Sequence, residues 1–176
     1  MTDPGLDAGF DAGFDEFAIA AWPRLLRSAY LLTADHHLAE DLTQTALVRT
    51  YSQWRRVRRS DALAYTRRVL VNLNIDRIRR RHGTTEVGDT LLETLSSRPD
   101  TRVDQRDEAV RLLRTLTARE RQVVVLRHYF DLSEAEVAHE LGVTKGTVKS
   151  TLARALAKLR VTAENGAPDY EEAVGQ

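Results

Sequence analysis

Between Thr117 and Arg160 the chain carries three helix starts in close succession, and this stretch constrains the fold more than any other. Thr117 with Glu120 and Ser133 with Glu136 each have the spacing of a capping box, in which the hydroxyl accepts from the third helical N–H and the carboxylate reaches back to the cap N–H. Leu132 and Val137 flank the second box as a hydrophobic staple. The spacing predicts a short helix from Ser133 to Leu141 with Val137, Ala138 and Leu141 on one face. Gly142 then serves a tight turn, and Thr144 caps a second helix running to about Arg160. Two capped helices joined by a glycine turn are the signature of a helix-turn-helix, although helix pairs of this kind also occur in bundles that bind no DNA.

The composition of the second helix favours DNA. At 100° per residue, Val148, Leu152, Ala155, Leu156 and Leu159 fall on one arc and form the expected packing face. The opposite arc is Gly146, Thr147, Ser150, Ala153, Arg154 and Ala157, small or hydrogen-bonding groups plus one arginine. Such a face enters a major groove without steric conflict, whereas a merely solvated face more often carries Glu and Lys. Arg154 is expected to pair bidentately with guanine, and Thr147 and Ser150 to reach base edges or phosphates. Lys145 and Lys149, to the sides, are expected to neutralise phosphates.

Charge alternates along the chain although the formal net charge of its 176 residues is zero. Residues 49–81 hold eleven arginines against two acids, and residues 111–161 ten basic side chains against five acids. Acidic stretches precede, separate and follow these blocks, so the chain has two separate footprints for a polyanion. Tyr51, Trp54 and Tyr65 lie inside the first block, a combination expected where bases stack while arginines follow the backbone. Each of these aromatics taken singly reads as core rather than as a base platform, and the arginines around them tilt the balance the other way for at least one.

The expected architecture is all-α, two small helical domains joined by a flexible linker. Residues 1–13, with a tandem DAGF, read as a disordered acidic leader. Residues 14–82 form a first domain of three or four helices, with breaks at Thr33–His37 and Arg55–Ser60. Residues 83–104, rich in Gly, Ser, Thr and Asp, form the linker, with a short helix conceivable at Leu91–Leu95. Residues 105–161 form the second domain and residues 162–176 an acidic tail.

Several classes are excluded. No cysteine is present, which removes disulfides, thiolate metal sites and cysteine nucleophiles. His36, His37, His82, His128 and His139 lack metal-site spacing, and no glycine-rich phosphate loop occurs, so no metal, no cofactor and no enzymatic activity are expected. The N-terminus lacks a signal-peptide pattern and no segment is long enough to span a membrane, so a cytoplasmic location is expected.

The segment LTARERQVVVLRHYFDLSEAEVAHELGVTKGTVKSTLARALAKLR resembles region 4 of bacterial sigma factors, especially the extracytoplasmic-function group. Most members have an arginine at the position of Thr151, a departure that implies one backbone contact fewer. AEDLTQTALVRTYSQWRRV, from Ala39 to Val57, is similar to sigma region 2, where a helix docks on the clamp helices of the largest RNA polymerase subunit. Asp41, Gln44, Thr45 and Val48 share one stripe of such a helix and are its expected polymerase contacts.

AYTRRVLVNLNIDRIRRR resembles the helix beside the minus-ten element, and the loop before it captures an unpaired base in the family. Carried over by position, the loop is Arg55 to Asp61, with Trp54, Arg55, Arg56, Arg58 and Arg59 as minus-ten residues, and the helix supplies Asn72, Asp76, Arg79 and Arg80. Asp76 with Arg79 or Arg80 is equally readable as an intrahelical ion pair.

The resemblance implies a non-catalytic factor that binds the polymerase core through clamp helices and flap, opens the minus-ten DNA and holds the minus-thirty-five duplex. Its linker would thread toward the RNA exit path, and an anti-sigma partner is left open. The rivals are a dimeric repressor or activator that never touches polymerase, and an adaptor that titrates a regulator.

Overall fold

A computed structural model describes residues 4–82 and 108–166, and among them the regular structure is helical with no strand. The helices are α1 (Pro4–Thr33), α2 (His36–Ser52), α3 (Ala62–His82), α4 (Glu108–Leu113), α5 (Ala118–Val124), α6 (Glu134–Leu141) and α7 (Lys145–Gly166). The chain divides into two compact units, one built on α1–α3 and the other on α4–α7, as the two-domain reading expects. The expected linker, the short helix at Leu91–Leu95 and the tail beyond residue 166 lie outside the described residues.

In the first unit α1 packs on α2 and α3, and α2 on α3. The break after α1 is made by Ala34 in the left-handed region at φ 53°, followed by Asp35, whose carboxylate accepts from the Leu38 N–H at 2.9 Å. That is ordinary N-capping, and it starts α2 after a break of only two residues. Leu25, Ala29, Leu70 and Val71 fill the core, with Ala39, Leu42, Ala46 and Leu47 from α2. Two buried hydroxyls, Thr50 and Thr66, hydrogen-bond to each other at 2.9 Å and join α2 to α3 without an unsatisfied polar group.

Residues 4–13 correct the expectation of a disordered leader, since α1 begins at Pro4. Glycines every fourth residue oppose a helix. Phe14 lies edge-on to Trp54 at 5.2 Å between ring centroids and Phe17 stacks on Trp54 at 5.1 Å. Tertiary packing of Phe14 and Phe17, just beyond the glycines, overrides their propensity.

The second unit opens with α4 and α5, both packed with α6 around α7 or its neighbours. Both expected capping boxes are present: Glu120 N–H to Thr117 and Thr117 N–H to Glu120, then Glu136 N–H to Ser133 and Ser133 N–H to Glu136. Leu132 and Val137 are both buried. After α5 the backbone widens into a π-turn at Val125–Tyr129, where the Phe130 N–H donates to the Val125 carbonyl at 3.2 Å. Arg127 donates to the Leu132 carbonyl, fixing the approach to α6.

Gly142 ends α6 at φ 64°, ψ 39°, the left-handed conformation that the turn to α7 requires. A Cβ at this position would meet nothing within 4 Å, so a side chain here costs backbone strain alone. Gly142→Ala should destabilise the second unit by about 1 kcal/mol, read as a shift in the urea midpoint, with Gly142→Asn costing less. An unshifted midpoint would show that the turn relaxes. α7 extends to Gly166, so residues 162–166, assigned by sequence to the tail, are helical.

Candidate nucleic-acid interface

The C-terminal face is built by the start of α7. Thr144 accepts from the Thr147 N–H at 3.1 Å, and the two hydroxyls share a hydrogen bond of 2.9 Å. Ser150 donates to the Thr147 carbonyl at 3.1 Å. These bonds preset the two side chains while leaving both exposed, with oxygen lone pairs free to accept. Lys145, Gly146, Thr147, Lys149, Ser150, Ala153, Arg154 and Ala157 are all exposed on α7, so the expected readers share one open surface.

The packing face differs from expectation in two places. Leu156, expected inside, is 40% exposed, whereas Thr151 is 3% exposed and lies with Val148 and Ala155 against the domain. The buried arc is thus rotated toward Thr151. That side also carries Lys158, whose ammonium sits 2.8 Å from the Glu120 carboxylate on α5. The buried Thr151 hydroxyl accepts from the Arg154 guanidinium at 3.5 Å, and the residue is part of the interhelical seam.

The Glu120 carboxyl, on α5, titrates below its ordinary range. Burial pushes its carboxyl upward, but the Lys158 ammonium and the Thr117 backbone N–H outweigh this and hold it below its ordinary 4.5. One carboxylate therefore closes the cap of α5 and fastens α7 to it.

In the first unit, the inward face of α2 is Ala39, Leu42, Thr43, Ala46, Leu47 and Thr50. This leaves Asp41, Gln44 and Val48 exposed and Thr45 half-buried on the outer face, so the sequence-derived stripe is contiguous. Val48 is 67% exposed, an apolar side chain held out between an acid and an amide. Such a mixed surface suits a protein partner better than water.

The loop after α2 is a run of tight turns, Trp54 N–H to Tyr51 and Arg56 N–H to Gln53 among them, ending in a 3-10 turn at Arg59–Asp61. Arg55, Arg56, Arg58 and Arg59 are exposed along it. Trp54 is not: it is 6% exposed beneath Phe14 and Phe17, which corrects its assignment as a DNA-facing residue. The tryptophan anchors the loop, while Tyr51 stays 41% exposed.

On α3, Asn72, Asp76, Arg79 and Arg80 are exposed at spacings of four, three and one, hence on one stripe. Asp76 and Arg79 stand 4.0 Å apart, both largely exposed, so the intrahelical pair exists at a separation where water screens it. Arg80 donates to the Asp76 carbonyl at 3.2 Å. Arg68, exposed one turn ahead of Asn72, belongs to the same stripe and was not singled out from the sequence; its i−4 relation to Asn72 was the available signal.

Comparison with known proteins fits this geometry. Residues 20–84 match the family Sigma-70 region 2, and residues 106–159 match Sigma-70, region 4. The RNA polymerase sigma-E factor of Streptomyces avermitilis is 41% identical over 159 residues, covering 86% of this chain and 85% of that protein. The chain belongs to the extracytoplasmic-function sigma factors. A further member, the ECF RNA polymerase sigma factor SigL of Mycobacterium tuberculosis, is 32% identical over 155 residues, covering 84% of this chain and 85% of its own. The fold is also that of the sigma factor RpoE crystallised with the anti-sigma factor NepR from Bartonella quintana, with a TM-score of 0.65 at 22% identity, covering 88% of this chain and 98% of that one.

As a sigma factor the chain partners RNA polymerase and directs transcription initiation at promoters. Among the described residues no helix is long and apolar enough to cross a membrane.

Proposed function

We propose that this sigma factor reads two promoter elements with its two units and drives opening of the upstream edge of the bubble by binding energy alone. The observation that carries the reading is the pair of faces: an α7 surface of small and hydroxyl side chains with one arginine, and a first unit whose α2 stripe and arginine loop share one helix-loop-helix. α7 lies in the major groove of the minus-thirty-five duplex, with Thr147, Ser150 and Arg154 toward base edges and Lys145 and Lys149 toward phosphates. Asp41, Gln44, Thr45 and Val48 dock on the clamp helices of the largest polymerase subunit, and the second unit meets the flap.

Arg55, Arg56, Arg58 and Arg59, with Asn72, Asp76, Arg79 and Arg80, hold the minus-ten strand, and capture of an extruded base offsets the few kcal/mol of unstacking. No residue performs chemistry. The protein acts in the cytoplasm, and a regulator of the anti-sigma kind, the class crystallised with the Bartonella quintana protein, is its further partner.

Run-off transcription with core polymerase on a promoter library tests this directly. Promoter-selective transcripts are expected. Tight binding of the free protein to palindromic duplexes with no transcript would favour the dimeric repressor. Within that assay, Arg154→Ala should cost about 1–3 kcal/mol and relax preference at one base pair. Lys149→Ala should weaken all sequences alike and lower the salt slope by about one. Uniform weakening by Arg154→Ala would make it a phosphate clamp instead.

A further inference from the structure

Gly13, Phe14 and Phe17 lie on α1 ahead of residue 20, where the match to region 2 begins. They nevertheless hold both ends of the arginine loop. At its start, Trp54 is clasped by Phe14 and Phe17, and Phe14 also meets Tyr51 edge-on at 4.9 Å. At its far end, Arg59 opens the 3-10 turn that leads into α3. Its guanidinium lies in the space left by the missing side chain of Gly13: a Cβ there would stand 2.7 Å from Nη2 and 3.2 Å from Cζ. Arg59 thus rests on bare helix backbone, and a Cβ at position 13 would push its exposed, flexible guanidinium off that seat.

We propose that Gly13, Phe14 and Phe17 are positioning residues for promoter recognition. They form a seat on α1 that fixes the Arg55–Asp61 loop in its binding shape and so set minus-ten selectivity without touching DNA. The inference rests on the loop being the minus-ten reader, as proposed above. Its physical content is preorganisation: a loop held at both ends in the free protein loses less conformational freedom on binding, and a long arginine already seated loses less still. Phe14 and Phe17 supply the fixed end through Trp54. Gly13 supplies the adjustable one, because whatever stands at this position decides where the Arg59 guanidinium rests.

The test uses the full chain with core polymerase and a promoter library randomised in the minus-ten element, the minus-thirty-five element held constant. The variants are Gly13→Gln, Gly13→Ala, Arg59→Ala and the double variant Gly13→Gln/Arg59→Ala. Gly13→Gln improves helix propensity while filling the seat. It should lower opening of the preferred promoter by roughly threefold to tenfold and flatten minus-ten preference. Thermal stability, core-polymerase affinity and binding to the minus-thirty-five duplex should be unchanged or improved. Gly13→Ala should move preference in the same direction by less.

The double variant should be no worse than Arg59→Ala alone, because both changes remove one contact. Unchanged minus-ten preference in Gly13→Gln would overturn the proposal, as would a penalty that persists in full on the Arg59→Ala background. A parallel fall at every promoter together with a lowered melting temperature would make the stretch merely structural. If the wild-type chain supports no promoter-selective transcription, the promoter-reading function itself fails. Transcription by the wild type with indifferent variants sinks the positioning role alone.

Discussion

Replacing Trp54 by alanine is expected to destabilise the first unit by about 3–5 kcal/mol, the cost of emptying a large aromatic site. The indole is almost wholly covered, with Phe17 stacked on it and Phe14 against its edge, so its removal leaves three elements facing a cavity: the start of α1, the end of α2 and the arginine loop. Trp54→Phe should recover part of the loss. Urea unfolding of the full chain, followed with a probe confined to the first unit, reads the effect. A Trp54→Ala protein of unaltered stability that had lost binding to single-stranded minus-ten DNA would restore the base-stacking role that its burial now argues against.

The second large effect is expected at Lys158. Lys158→Met strands the Glu120 carboxylate, whose side chain is 7% exposed, without its ion-pair partner. Leaving a charge so placed costs about 2 kcal/mol, less than for a fully buried pair because the lysine itself is 44% exposed and partly screened. The pH dependence follows from the direction of the Glu120 shift. Its folded value lies below 4.5, so its contribution is full above the unfolded value and is lost as pH falls through the folded one.

In Lys158→Met the main opposition to burial disappears, so the folded value rises. The variant should therefore be weakest relative to wild type near neutrality, and the two should converge in acid. Urea midpoints from about pH 3 to pH 7 measure this. A constant difference across that range would mean that Lys158 acts by packing alone.

Both effects arise from contacts distant in sequence, and this separates what was legible from what was not. The helix starts at Thr117, Ser133 and Thr144 and the left-handed turn at Gly142 were readable because each rests on groups within three or four residues. The α2 stripe was readable for a related reason: Leu42 and Ala46 mark the inner face, and α-helical geometry then places Asp41, Gln44 and Val48 outside.

Trp54 was not readable in the same way. An aromatic among arginines suits both a core and a base platform, and the choice was made by Phe14 and Phe17, some forty residues earlier. Likewise, periodicity put Leu156 inside and was silent on Thr151. The pairing of Lys158 with Glu120, 38 residues apart, lies on the Thr151 side of α7, the side the helix turns inward.

The sequence alone therefore determined that the chain is helical, has two basic units, and presents a small-faced helix behind a glycine turn. Capping, turn conformation and helical phase are local and act before any tertiary contact forms. Only the tertiary structure decided that α1 reaches back through the DAGF repeat, that Trp54 is a buried anchor and that Arg59 lies over Gly13. Each depends on which surface a side chain meets after the chain has folded back, and for an aromatic or a glycine that environment outweighs intrinsic preference.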